Sequence, residues 1–201
     1  AILSDMNQPL GQAVGNALEV KEALDTLRGG GPEDFWQHSL KIASYMLLLA
    51  GKAETIEEAE QLATAARDDG RALAKFREMV AAQGGNVEQI DNPDLLPQAR
   101  YVEDIVMPRD GYVASMDTSE LGWASVNLGG GRLVKSDIID PAVGYTLTAK
   151  IGDYVSEGQV IGKIHANDVE KIEETRAQIL EAIELSETPV EPLPHFYGVV
   201  S

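Results

Sequence analysis

The sequence contains no cysteine. It therefore has no disulfide framework and no thiolate metal site, a composition compatible with the reducing cytoplasm in which the protein is expected. Basic residues are few: 16 Lys and Arg stand against 33 Asp and Glu, giving a net charge of −17 and a pI near 4.4. Neutralising phosphates requires clustered Lys and Arg, so nucleic acid and anionic membrane surfaces are excluded as electrostatic partners, and the acid excess serves solubility. Nowhere do 18 apolar residues run uninterrupted, and the apolar start Ala1-Ile2-Leu3 has no basic flank, so neither a membrane span nor a signal peptide is expected. Position 1 is Ala rather than Met, which points to a processed or truncated product. What is present is 44% hydrophobic sequence in 201 residues, enough to bury a core in one or two domains.

The first local signal is a junction. Ala1-Ile2-Leu3 reads as a strand, Ser4-Asp5-Met6-Asn7-Gln8-Pro9-Leu10-Gly11 as a polar turn, and the segment from about Val14 to Arg28 as an amphipathic helix with Ala17, Val20, Leu24 and Leu27 at helical spacing. Pro9 lacks a donor and fixes its own φ, while Gly11 and Gly15 reach conformations closed to other residues, so carbonyls such as those of Leu10 and Ala13 can escape a helical ladder. Free carbonyls near a carboxylate suit a hard cation. Gly29-Gly30-Gly31 stops the helix, and Pro32 opens a second, expected to reach Gly51 with Glu33 and Asp34 in its first turn. Its apolar positions cover most of its circumference, which predicts packing on more than one side. Thr55-Ile56-Glu57-Glu58 is a capping box for a third helix, with Ile56, Ala59, Leu62, Ala63 and Ala66 inward. Gly70 breaks or weakens the run before Leu73, Phe76, Met79 and Val80, which ends at Gly84-Gly85. A lone strand cannot form a sheet, so Ala1-Ile2-Leu3 is expected to need partners this chain does not supply.

Asn92-Pro93 and Leu96-Pro97 mark a linker over 92–100, separating a domain at 1–91 from one at 101–201. Beyond it, Ile105-Val106-Met107, Gly111-Tyr112-Val113, Trp123-Ala124-Ser125-Val126, Tyr145-Thr146-Leu147 and Val160 to Ile164 predict short strands of a compact β domain. Asp168 opens a charged helix expected to run through Ile172, Ile179, Ile183 and Leu185. Pro189, Pro192 and Pro194 stiffen a tail before Phe196 to Val200, which can add an edge strand.

Few residues here carry chemistry by pattern alone. Gly129-Gly130-Gly131-Arg132 looks like a phosphate cradle, but no helix clearly follows it, so a turn or mobile loop is the better reading. His38, His165 and His195 show no paired-ligand spacing, the carboxylate pairs Glu57-Glu58 and Glu173-Glu174 fit solvated helix faces, and nothing resembles a nucleophile elbow. Trp36, Trp123 and Tyr112 are expected in the core.

Asp5 to Val20 followed by Lys21-Glu22-Ala23 resembles the DMNQPLGxAVGNALEVxEA segment of pyrimidine-nucleoside phosphorylases, the group that includes thymidine phosphorylase. Asp140-Pro141-Ala142-Val143-Gly144, Lys150-Ile151-Gly152-Asp153 and Gly158 to Ala166 are similar to the C-terminal domain of the same enzymes. The resemblance covers the whole chain but only the family's C-terminal part. It implies an α/β fold class: the end of a central α/β phosphate-binding domain, mostly helical in this stretch, then a small α+β domain of hammerhead, lipoyl-like architecture. It also implies a monovalent cation, usually K+, held by the main-chain carbonyls of Leu10 and Ala13 and the side chain of Glu22, together with a phosphate loop encoded upstream. The implied chemistry is phosphorolysis of uridine- or thymidine-type nucleosides by phosphate, in a homodimer whose other half precedes this segment. The family's phosphate-gripping and base-gripping residues have no counterpart here, so no catalytic or substrate-binding residue is assigned and the segment alone is expected to be inactive. A helix starting at Gln12 would separate Leu10 from Glu22 by roughly 18 Å, too far to share an ion. The cation site therefore requires regular helix to start near Asn16, with Gly11 to Gly15 folded back.

Two other readings compete. The GDxVxxGxxI pattern at Gly152 to Ile161 is similar to lipoyl and biotinyl carriers, but Lys135, Lys150 and Lys163 lack a carrier lysine's flanks. Anthranilate phosphoribosyltransferase shares the fold group, and the Asp5 to Val20 segment and the entire second domain count against it.

Overall fold

The computed structural model describes residues 1–200. In chain order its elements are β1 (Ile2–Ser4), β2 (Ala13–Val14), α1 (Asn16–Leu27), α2 (Glu33–Leu49), α3 (Ile56–Asp68), α4 (Arg71–Ala82), α5 (Glu88–Asp91) and a 3-10 turn (Pro93–Leu95). There follow β3 (Tyr101–Val106), β4 (Gly111–Met116), α6 (Thr118–Ser125) with a wider continuation (Val126–Gly130), β5 (Gly144–Leu147), β6 (Tyr154–Val155), β7 (Val160–Ala166), α7 (Glu170–Glu181), β8 (Ile183–Ser186) and β9 (Phe196–Val199). Helix and sheet are mixed, and every strand pairing among the described residues is antiparallel. The described residues divide into two compact units, 1–19 with 97–200, and 20–96.

In the first unit β2, β5, β7 and β3 form one sheet in that order, and β6, β4 and β8 form another. Their apolar faces and helices α6 and α7 close on one cluster, with Ile105, Val113, Leu121, Tyr145, Ile164 and Ile179 among its buried members. The Tyr145 hydroxyl donates to the Leu121 carbonyl (2.7 Å), tying β5 to α6 inside the core. Burial, and secondarily the charge of Glu19, pushes that phenol well above its ordinary pKa. Gly15 and Gly144 approach so closely that a Cβ on Gly144 would lie 2.3 Å from the Val14 carbonyl, and one on Gly15 would lie 2.7 Å from that of Val143. Both positions also have positive φ, so glycine is required where β2 meets β5.

Several expectations change here. Ala1-Ile2-Leu3 does find a partner in this chain: β1 pairs with β9, with Ile2 opposite Val199 and Leu3 opposite Gly198. The first nineteen residues consequently fall in one unit with 97–200, so the division differs from the expected 1–91 and 101–201 at its N-terminal end. Trp123 to Val126 is helix rather than strand, because Asp117 caps α6 by accepting from the amides of Ser119 and Glu120 (3.0 and 3.1 Å). Leu121, Ala124 and Leu128 then fall on one buried face, and Trp123 points off it, 49% exposed rather than in the core. Tyr112 and Trp36 are only partly buried; Tyr112 meets Tyr154 edge-on at 5.0 Å, and Trp36 lies under Arg67 at 3.7 Å. Helix α7 stops at Glu181, and Ile183 and Leu185 continue as β8 because their alternation matches pairing with β4.

The second unit is helical throughout. Pro32 precedes α2 as its cap, and Thr55 Oγ1 accepts from the Glu58 amide (3.1 Å) while Glu58 Oε2 accepts from the Glu54 amide (2.8 Å), a capping box that reaches one residue further back than usual. Gly70 separates α3 from α4. Helix α2 packs against α3, yet Ser44 is its one buried residue, so the expected burial on several sides is not found among the described residues. Arg28 donates to the Ile90 carbonyl (2.6 Å), and Arg77 grips Asp91 through two nitrogens, fastening α1 and α4 to the α5 region.

Candidate functional site: a carbonyl-bearing loop ahead of α1

Between β1 and α1 the backbone is neither helix nor simple turn. Asp5 anchors its start. The Asp5 amide donates to the His195 carbonyl (3.0 Å), and its carboxylate accepts from the Asn7 amide and side chain, from Gln8 Nε2 and from the Tyr197 hydroxyl. Burial works against the Asp5 carboxylate, but these donors outweigh it and hold its pKa below the ordinary value. The same pairing raises Tyr197, through desolvation first and the Asp5 charge second.

From Gln8 onward the loop is held by the last residue of β5 and the segment that follows it. Gln8 Oε1 accepts from the Ile151 amide (2.9 Å), the Pro9 and Gly11 carbonyls accept from Lys150 Nζ (2.5 and 2.6 Å), and the Gln12 carbonyl accepts from the Leu147 amide (2.7 Å). Gly11 turns the chain with φ of 69°, a left-handed conformation. Because Gln12 and Leu147 are a hydrogen-bonded pair, Ala13, opposite Thr146, occupies the next pair, and its carbonyl points away from β5 on the outer side of an edge strand. Regular helix begins at Asn16, where the Gly15 amide donates to Glu19 Oε1 (2.9 Å) and the Glu19 amide donates to the Gly15 carbonyl (3.0 Å). The helix start near Asn16 is thus as the sequence required, and residues 13–14 are strand rather than the first turn of α1. The Asn16 side chain and the Ala17 amide tie this end to the carbonyls of Gly130 and Pro141.

Of the three residues assigned to the cation, Leu10 and Ala13 lie in this loop in the first unit, while Glu22 lies in α1 within the second unit, its own carbonyl accepting from Thr26 Oγ1 (2.9 Å). The donor types, peptide oxygens and a carboxylate, are those a hard cation takes. Among the described residues no three His, Cys, Asp or Glu side chains gather as a side-chain metal centre would need. His38 sits in α2, His165 in β7 opposite Val102 and Gly144, and His195 just before β9.

Gly129-Gly130-Gly131 does not lead into a helix N-terminus, the feature that lets a glycine loop cradle phosphate. It ends the helical stretch that begins with α6, and its Gly129 and Gly130 carbonyls accept from the Asp140 amide and Asn16. The carboxyl end of a helix carries the partial charge that repels an anion. Lys150, considered in the sequence only as a poor carrier lysine, is buried in part against the loop, and Lys163 lies on β7 with its ammonium on Asp104 (2.6 Å), so neither is the exposed hairpin-tip lysine of a carrier. Sequence reasoning missed the clamp of Gln8, Lys150 and Ile151, because nothing local in Lys150-Ile151-Gly152-Asp153 says that it reaches residues 8–12.

The sheets and helices of the first unit are those of an α+β domain, and its residues 112–186 match the family described as Pyrimidine nucleoside phosphorylase C-terminal domain. Across its whole length the chain is 44% identical to a pyrimidine-nucleoside phosphorylase of Geobacillus stearothermophilus, of which it covers 46%. Over 167 residues, 83% of this chain, it is 51% and 50% identical to the pyrimidine-nucleoside phosphorylases of two Staphylococcus aureus strains, RF122 and USA300, covering 39% of each. The chain belongs to the pyrimidine-nucleoside phosphorylase family, to its C-terminal part, and spans less than half the length of these relatives. No helix among the described residues is long and apolar enough to cross a membrane.

Proposed function

We propose that this chain is the C-terminal portion of an enzyme that reversibly phosphorolyses uridine- and thymidine-type nucleosides. Phosphate oxygen bonds to the anomeric carbon, the glycosidic C–N bond breaks, and the free base and a pentose 1-phosphate leave. Such a reaction needs two ligands positioned together and the oxocarbenium-like charge complemented, rather than a covalent intermediate. The first unit acts as the hammerhead-like domain that closes over phosphate. The loop ahead of α1, with the Leu10 and Ala13 carbonyls and the Glu22 carboxylate, contributes half of a K+ site. When bound, that ion would order the phosphate-binding loop and complement its charge. The remaining ligands, the phosphate grip and the base grip lie on polypeptide outside this segment, so the chain alone turns nothing over. A cytoplasmic homodimer is proposed for the intact enzyme on resemblance alone.

One observation carries this reading: identity to a pyrimidine-nucleoside phosphorylase extends over all 201 residues, through the loop whose backbone leaves helical geometry up to Asn16. Support also comes from α2, whose apolar Met46 and Leu49 remain 65% and 86% exposed, as expected of a unit that further polypeptide covers. The test is phosphate-dependent cleavage of uridine and thymidine by this chain alone and by the chain joined to a relative's preceding half, in potassium and in choline chloride. Turnover only by the joined form, and only with potassium, is expected. Robust turnover by this chain alone would sink the assignment of the active site, and indifference to potassium would sink the cation site.

A further inference from the structure

The last residue of β5 and the segment that follows it hold the loop through three different groups. The Leu147 amide takes the Gln12 carbonyl, the Ile151 amide takes Gln8 Oε1, and between them Lys150 places one ammonium on two carbonyls, those of Pro9 and Gly11, at 2.5 and 2.6 Å. Two carbonyl oxygens brought to a single point repel one another unless a positive charge lies between them. A charged donor makes each of these bonds shorter and stronger than a neutral one would be.

The lysine is itself fixed at its root. Ala149 and Ile151 on either side are buried, and the Lys150 amide donates to Asp153 Oδ2 (2.8 Å). Its compact ammonium can meet two carbonyls two residues apart, whereas the planar fork of an arginine directs its donors elsewhere.

We propose that Lys150 is the positioning residue of this loop, a tethered cation that presets the backbone of residues 8–13 before any free metal ion arrives. Its bearing on catalysis rests on the reading of the loop as the cation-bearing element given above. The geometry of the clamp stands apart from that reading. A lysine stem that only fills space would hold the loop equally well without charge, and the two roles separate by rescue.

The measurement is hydrogen exchange, followed by NMR on the full 201-residue chain, at the Leu147 and Ile151 amides, which report the two bonds flanking Lys150. In choline chloride, Lys150→Ala and Lys150→Met are each expected to speed exchange at both amides about tenfold or more, the scale of a lost charged hydrogen bond. Replacing choline by ammonium or potassium at the same ionic strength restores protection in Lys150→Ala, where the stem has left room, and leaves the parent chain unchanged. Lys150→Met keeps the stem and removes the ammonium, so parental protection in that variant overturns the proposal. Loosening of Lys150→Ala that neither ammonium nor potassium reverses overturns it as well, making the lysine a packing element. Should the joined enzyme ignore potassium while the rescue succeeds, the cation site falls and the clamp stands. Should the joined enzyme need potassium while the rescue fails, only the role of Lys150 falls.

Discussion

The two units reach order by opposite routes. In the first, strands far apart in sequence pair and enclose a continuous apolar cluster running from Ile105 to Ile183. In residues 20–96 the buried apolar side chains are Leu24, Ala53, Ala59 and Ile90, while Ile42, Met46, Leu49, Leu62 and Met79 stay exposed. Its helices are delimited by local devices: a glycine stop, a proline start and a capping box. The difference teaches that helix boundaries can be set by signals close in sequence, whereas antiparallel sheets of two- to seven-residue strands exist only because they share an interior.

The largest effect expected from this contrast is at Ile164, fully buried on β7. Ile164→Ala should cost about 2–5 kcal/mol in urea unfolding, the range for a cavity in a close-packed core. Leu49→Ala, made at an exposed position of α2, should change stability by no more than about 0.5 kcal/mol. Equal losses at the two sites would erase the distinction between the units. A smaller effect is expected where the second unit depends on local signals. Thr55→Ala removes the acceptor for the Glu58 amide and should cost about 1 kcal/mol, read as lost helicity and a lower urea midpoint. No loss there would mean that α3 is held by something other than its cap.

The smallest effect is a pH dependence at the start of the loop. The Asp5 pKa is depressed in the folded chain, so the unfolded chain binds more protons in that window. Its stabilisation is therefore complete above the ordinary carboxylate value near 3.8 and is lost as pH falls through the lower folded value. Asp5→Asn should be less stable than the parent at pH 6 and should converge on it as the solution is acidified towards pH 2. A gap that persists unchanged at low pH would assign the effect to packing rather than to charge.

Legibility followed the range of the interactions. The boundaries of α1 and α2, the cap of α3 and the break at Gly70 were readable because a proline, a glycine or a capping threonine acts within four residues of itself. The non-helical stretch before Asn16 was readable too, since Pro9, Gly11 and Gly15 each restrict the backbone locally. Trp123 to Val126 misled because its β-favouring side chains were weighed without Asp117, six residues earlier, which opens the helix they sit in. Ile183 and Leu185 fit either a helix face or a strand face, and only the presence of β4 alongside decided between them. The cation residues were reached through resemblance, and Lys150 was not reached at all, because its partners lie about 140 residues away, a contact no local window contains.

By itself the amino-acid order determined where helices start and stop, where the backbone before α1 must depart from helix, and which family the chain belongs to. Each of these depends on side chains acting on their own neighbourhood, or on identity counted position by position. Only the tertiary structure decided that the first strand closes on the last, that residues 1–19 join the sheet unit, and that one ammonium gathers the Pro9 and Gly11 carbonyls. Those outcomes turn on which distant surfaces exclude water together and which charges they leave facing, and that is settled only once the whole chain has closed around its core.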